Sequence, residues 1–221
     1  MDSNWQLFLD SLWPLAKAAI TASIPLAVIS FAIGLAIALL VALMRISSNK
    51  ALSTIARIYI SLIRGTPLLV QLFVIFYGMP SIGLTIDPWP SAIIVFSLNT
   101  GGYCAEILRA AILSVPAGQW EAGYTVGMSR TRTLYRIILP QAARVAVPPL
   151  SNSFISLVKD TSLASVILVS EMFRKAQEIT AVTFEFMLLY CTAAGIYWVI
   201  CLLLSALQNS LEGRLEKHVA K

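Results

Sequence analysis

Long uncharged stretches alternate with short charged ones along this chain, and the gaps between charges mark its elements. No charge falls between Lys17 and Arg45. That gap accommodates one tilted membrane-spanning helix over about residues 18–44, since a span needs about 20 mostly apolar residues. Pro25 and Gly34 are where it would bend. Residues 1–17 carry two acids, one lysine and no basic leader, so they read as an interfacial segment anchored by Trp5 and Trp13, not a signal peptide. In residues 51–79, Arg57 and Arg64 occupy the first half and Gly65-Thr66-Pro67 interrupts the run. The pattern predicts an amphipathic entry helix and then a span over about 66–86. Asp87, Pro88, Trp89 and Pro90 close a turn, with Trp89 in an interfacial belt.

The third span, about 91–113, is unusual for its polar content: Asn99, Thr100, Tyr103 and Glu106, with Gly101 and Gly102 between. A polar, basic connection follows over 114–139. A fourth span over about 140–158 ends at Lys159-Asp160, and 161–170 is too short to cross alone. Residues 172–176 read as an external surface helix. Glu171, Arg174, Lys175 and Glu178 read there as solvated charge, with docking of an external protein as the sharper alternative. The last span covers about 186–207, before a charged tail over 212–221.

Composition fixes the class. The chain has 221 residues, 58% hydrophobic and 12% charged, with a mean hydropathy of +0.80. A soluble domain has about 25% charged residues, so a soluble globule, a disordered chain and a collagen-like fibre are excluded. The reading is an all-α integral membrane protein with five transmembrane helices in a single transmembrane domain over 1–221. The net charge of +5 is membrane topology and not a nucleic-acid footprint, which needs a basic soluble face. Arg45, Lys50, Arg57 and Arg64, then Arg109, Arg130, Arg132, Arg136 and Arg144, then Arg214, Lys217 and Lys221 fall on one side. These are twelve of the sixteen basic residues. The 114–139 connection and the C-terminus are therefore expected in the cytoplasm and the N-terminus outside.

Catalytic chemistry is poorly provided for. Cys104, Cys191 and Cys201 form no CxxC, and the single histidine, His218, is close to the end. A disulfide framework, a metal cage and a histidine triad are not expected, and the chain reads as a non-enzyme.

The 114–139 connection carries the most structured pattern. Residues 119–126 favour a helix, Gly127 suits a left-handed C′ position, and Ser129 is a candidate N-cap for a second helical stretch. Leu134, Ile137 and Ile138 give that stretch an apolar face, and Pro140 is placed to start the next helix at N1. An amphipathic connector without a partner is the plain reading. The pattern Glu121-Ala122, Gly127, nine residues, Ile137-x-Leu139-Pro140 resembles, however, the loop signature of permease subunits of ATP-binding-cassette importers. Gly123 departs from it where the family usually has Ala. Arg64-Gly-Thr-Pro67-Leu-Leu-Val-Gln71, Leu139-Pro-Gln-Ala-Ala-Arg144 and the 148–163 stretch are similar to the polar-amino-acid uptake branch, and within it Gly118-Gln-Trp-Glu-Ala122 and the 148–163 stretch look most like L-cystine import permeases.

The resemblance implies a type I importer permease fold in the bacterial cytoplasmic (inner) membrane, multi-pass. It implies a second permease chain, read as a second copy of this one although related systems form both homodimers and heterodimers, a cytoplasmic ATPase dimer and an extracytoplasmic amino-acid-binding protein. The 121–127 helix would be the coupling helix, with Glu121 pairing with an arginine of the ATPase or capping its own helix. The chain has no Gly-x-x-x-x-Gly-Lys-Ser/Thr loop, so no cofactor is expected on it, and ATP and Mg would sit on the partner ATPase. Permeases for glutamine or a cationic amino acid are the near alternatives, and an autonomous secondary transporter is the remote one.

Polar groups inside spans are costly unless satisfied or facing water, so they are candidates for the substrate pathway. The first set is Asn99, Thr100, Tyr103 and Glu106, with an ion pair to Arg109 at i+3 as the plain reading of Glu106. The glycines permit close packing or local unwinding. The second set is Asn152, Ser153, Ser156, Asp160, Thr161 and Ser162. Asn152 and Asp160 are two turns apart, about 12 Å. Asp160 is placed to hold an ammonium, and Lys159, serine hydroxyls or helix-end N–H groups a carboxylate. Ser153, where an acid would suit a cationic side chain, favours a neutral or zwitterionic substrate.

Overall fold

The computed structural model describes residues 2–216, with side chains described for 4–213. His218, Lys217 and Lys221 lie outside the described residues. Among the described residues all regular structure is helical. The helices are α1 (Asp2–Ala18), α2 (Ile24–Ile46), α3 (Lys50–Gly65), α4 (Leu68–Phe73), α5 (Pro88–Ser114), α6 (Ala117–Thr125), α7 (Arg130–Thr133), α8 (Leu139–Asp160), α9 (Met172–Thr183) and α10 (Phe186–Glu216). Three continuous helical stretches, Asn4–Ile46, Pro88–Ser114 and Phe186–Gly213, are long and apolar enough to cross a membrane. Two bent pairs, Lys50–Gly65 with Leu68–Ile82 and Arg130–Ile167 with Met172–Thr183, bring the number to five if each counts as one span.

α1 does not lie apart as an interfacial segment. It runs through Ala19–Ser23 into α2, giving one helix of 43 residues from Asn4 to Ile46. Its length, about 64 Å at 1.5 Å per residue, exceeds one hydrocarbon thickness. Trp5 and Trp13 remain exposed, while Leu15 is buried.

Prolines shape the long helices in a repeated way. Ala19–Ser23, Val74–Gly78 and Leu134–Ile138 are π-helical turns. Each is closed by the N–H of the next residue: Ile24 to Ala19 O, Met79 to Val74 O, and Leu139 to Leu134 O. The residue after each closing donor is a proline, namely Pro25, Pro80 and Pro140. A proline has no N–H and its ring crowds the carbonyl four residues back. The wider turn relieves both problems just ahead of it. Pro140 therefore does not open a new helix. It is carried through a helical run that begins at Arg130.

The chain divides into two compact units. The first comprises Met1–Ala32, Thr66–Ser97 and Phe154–Leu207. One core there gathers Leu26, Leu72, Val95, Phe96, Val158 and Ile167, and another gathers Leu15, Ala19, Met172, Ala176 and Ala193. α9 is a surface helix with one buried face: Met172, Ala176 and the capping Glu171 are each 0% exposed, while Val182 is 81% exposed. Glu171 is the N-cap of α9, accepting from Phe173 N at 2.8 Å and Arg174 N at 2.7 Å. Arg174, Lys175 and Glu178 do form the solvated charge expected of them, paired at 3.9 and 3.0 Å.

The second unit comprises Ile33–Gly65, Leu98–Ser153 and Gln208–Lys221. Here α5 runs straight through Gly101 and Gly102. A Cβ at Gly101 would lie 2.7 Å from Ile37 Cγ2 and 2.8 Å from the Tyr59 hydroxyl, and one at Gly102 would lie 2.7 Å from Ile63 Cγ2. These glycines serve close packing of α5 on α2 and α3, not unwinding. Tyr59 donates to Leu98 O at 2.6 Å across the same contact.

Candidate functional site

The 114–139 connection folds as a helix, a glycine turn and a second helix. Pro116 precedes α6 in extended conformation, and Gly127 ends it at φ +77°, the left-handed geometry that favours glycine. The turn is closed by Gly127 N to Tyr124 O at 2.9 Å and Met128 N to Gly123 O at 3.0 Å. Ser129 caps α7, its hydroxyl accepting from Arg132 N at 3.3 Å. Gly123, the departure from the family pattern, is buried against Thr133, and a Cβ there would lie 2.5 Å from Thr133 Cγ2. Thr133 is itself 0% exposed and donates to Ser129 O at 3.1 Å. α6 and α7 are thus closed on each other at their smallest residue.

Glu121 lies in the middle of α6, exposed, and does not cap the helix, whose N-cap is Pro116. Ala122 is exposed beside it, and Thr125 donates back to Glu121 O at 2.9 Å. Trp120 turns the other way, into an apolar core with Ile46 of α2, Ala111, Ile112 and Val115 of α5, and Ile137, Ile138 and Leu139 of the run leading into α8. Pro140 stays exposed beyond Leu139. Between α6–α7 and the end of α2 lies an open groove of about 870 Å³, with Ile46, Ile112, Trp120, Tyr124, Arg130 and Leu134 among its lining. Val126 is 71% exposed, and Tyr124 and Tyr135 are exposed beside it.

The polar groups expected along a pathway are distributed over both units. In the second unit, Asn99 is half-buried, Thr100 buried and Tyr103 exposed, with the Arg64 guanidinium 5.3 Å from the Tyr103 ring centroid. Glu106 has both oxygens engaged. Arg109 Nε donates to them at 3.1 and 3.0 Å and Nη2 to Oε2 at 2.8 Å. Arg45 Nε lies 3.5 Å from Oε1, a longer charge contact from α2. Asn152 Oδ1 accepts from Gln208 Nε2 at 3.3 Å, and Ser153 donates to Pro149 O at 3.0 Å. In the first unit, Ser156 is exposed and Asp160 half-buried. Thr161 donates to Val158 O at 2.7 Å and Ser162 to Lys159 O at 2.7 Å.

Sequence reasoning missed Arg45, counted only as a loop charge, and Arg64 as the partner of Tyr103. It also took Glu171 for a solvated residue. In each case the partner is distant in sequence, where helical spacing gives no signal. Among the described residues no cluster of His, Cys, Asp or Glu could hold a metal ion.

The chain matches the family described as binding-protein-dependent transport system inner membrane component over residues 34–217. It is 57% identical over 218 residues to the L-cystine transport system permease protein TcyB of Bacillus subtilis (strain 168), covering 98% of this chain and 93% of that one. It is 37% identical over 221 residues to the glutamine transport system permease protein GlnP of Escherichia coli (strain K12), covering 98% and 99%. Among solved structures, it is similar to a chain of an amino acid ABC transporter crystallised with histidines, with TM-score 0.87 and 35% identity over 94% of this chain and 97% of that one. A chain of the inward-facing MetNI methionine ABC transporter shares the fold at TM-score 0.72 and 16% identity, covering 97% and 99%.

Proposed function

The chain belongs to the family of binding-protein-dependent transport system inner membrane components, and from that premise we propose that it is the permease through which an ATP-driven importer moves L-cystine. Its five spans, N-terminus outside and C-terminus in the cytoplasm, follow from the placement of its basic residues. An ATPase dimer in the cytoplasm holds ATP and Mg, a binding protein delivers the amino acid outside, and a second copy of this chain completes the pair of permeases in the bacterial inner membrane.

The observation that carries this reading is α6. It presents Glu121 and Ala122 to solvent, is stopped by left-handed Gly127, and is seated through Trp120 on a core shared with α2, α5 and α8. A short helix exposed on one face and anchored on the other is suited to receive a push from a partner and pass it on. Closure of the ATPase on ATP would displace α6, and the permease would then open its pathway outward. Hydrolysis would reset it. Gly123, Ile137, Leu139 and Pro140 hold the turn and the run behind α6, and the exposed charge of Glu121 fixes register on the ATPase more than affinity.

The substrate is proposed as L-cystine from the 57% identity to a cystine permease and from Ser153, which supplies no carboxylate for a cationic side chain. Asn99, Tyr103, Asn152, Ser153, Ser156 and Ser162 line the pathway, while Thr100 and Thr161, expected there from the sequence, are buried. Asp160 holds an ammonium, and Glu106 contributes as the carboxylate of an ion cluster.

The test is uptake by proteoliposomes holding this chain, its ATPase and its binding protein. ATP-dependent cystine uptake is expected, with glutamine, arginine and histidine as weak competitors. Stronger competition by glutamine would move the substrate assignment, and gradient-driven uptake by this chain alone would overturn the importer reading. Gly127→Asp and Glu121→Lys are expected to abolish uptake with normal membrane insertion. Normal transport by both would remove the coupling role. Unchanged affinity and rate in Asp160→Asn would remove the ligand role of Asp160.

A further inference from the structure

Arg45 closes an ion cluster that joins two helices at the seat of α6. It is the next-to-last residue of α2, and its Nε lies 3.5 Å from Glu106 Oε1. Glu106 and Arg109 are both on α5, three residues apart, and make the shorter contact at 2.8 Å. The two arginines are not equivalent. Arg109 travels with Glu106 wherever α5 goes, so it neutralises the carboxylate but holds nothing else in place. Among the described residues, Arg45 is the one that reaches Glu106 from another helix. At 3.5 Å the contact is longer than the Glu106–Arg109 pair and rests mainly on charge.

The residue after Arg45, Ile46, enters the apolar core that holds Ile107, Ile112 and Val115 of α5, Ile138, and Trp120 of α6. Burial of apolar surface is non-directional, so that core alone permits α2 and α5 to slide past each other under a displaced α6. A charge contact one residue from the core opposes sliding, because separation leaves a partly buried arginine without its counter-charge. We propose that Arg45 is a positioning residue for energy coupling: acting through Glu106, it makes the ends of α2 and α5 a single rigid seat for α6. The coupling role rests on the function proposed above, while the rigid seat is a property of this chain alone.

Two measurements test these separately. Spin labels at Leu40 on α2 and Leu113 on α5, both exposed, report the seat whatever the substrate. The native chain is expected to give one narrow distance distribution, Arg45→Lys a similar one, and Arg45→Gln a broader one. A distribution as narrow in Arg45→Gln overturns the rigid seat. In proteoliposomes with the ATPase and binding protein, Arg45→Gln is expected to lower uptake about ten-fold while ATP hydrolysis stays within about two-fold, and Arg45→Lys to restore most of it. Unchanged uptake, or equal loss of uptake and hydrolysis, overturns the coupling role. Absence of ATP-driven cystine uptake by the native complex would count against the proposed function and leave the spin-label result standing.

Discussion

Glu171 and Glu106 are both carboxylates set among apolar helices, and they are held by opposite means. Glu171 is 0% exposed and satisfied by neutral donors: the N–H groups of Phe173 and Arg174, the Ser23 hydroxyl at 3.3 Å and the Tyr197 hydroxyl at 3.1 Å. Glu106 is 21% exposed and held by two guanidinium groups. Dipoles fixed by backbone and packing leave Glu171 one position, so it fastens the start of α9 to the π-turn at Ser23 and to α10. Charges on two long side chains hold Glu106 instead, one from its own helix and one, Arg45, from α2. A carboxylate that caps a helix and one that ties two helices by charge therefore have different neighbours, and the difference is visible without reference to function.

The contrast can be broken by mutation. Removing the buried cap should have the largest effect: Glu171→Ala is expected to lower stability by about 2–4 kcal/mol, since a cap is lost and buried donors are left unsatisfied. Thermal unfolding in detergent micelles measures it. Tyr197→Phe removes one donor and should cost about 1 kcal/mol in the same assay. Arg45→Gln leaves the Glu106–Arg109 pair intact and should change stability by less than about 1 kcal/mol. Raising salt to about 0.5 M should weaken the Glu106 cluster and leave the enclosed Glu171 network unaffected. A loss in Arg45→Gln as large as that in Glu171→Ala would show that the two carboxylates do the same work.

The features legible in the sequence were those that depend on near neighbours. The helices expected over the third and last apolar runs, the left-handed Gly127 and the Ser129 cap are each set by a few consecutive residues, and the structure has helices, turn and cap at those places. Glu171 was illegible because glutamate is an uncommon cap and its enclosing partners, Ser23 and Tyr197, come from distant helices. Arg45 was illegible for the same reason: its charge is read correctly as belonging to a helix end, but nothing local names Glu106. The glycines of α5 allowed two outcomes, and only the presence of Ile37, Tyr59 and Ile63 opposite them decides for packing. Pro140 misled because a helix start and a π-turn relieve a proline equally well.

The π-turn at Leu134–Ile138 also makes a statement about insertions and deletions. A π-turn is an α-helix with one residue added, so removing one residue there would keep the chain helical while rotating everything ahead of it by about 100°. Thr133 would swing off Gly123, and Trp120 off its seat beside Ile46. In this run, residue count sets the angle at which α6 is presented, and a change of one residue would misalign it more than most substitutions within it.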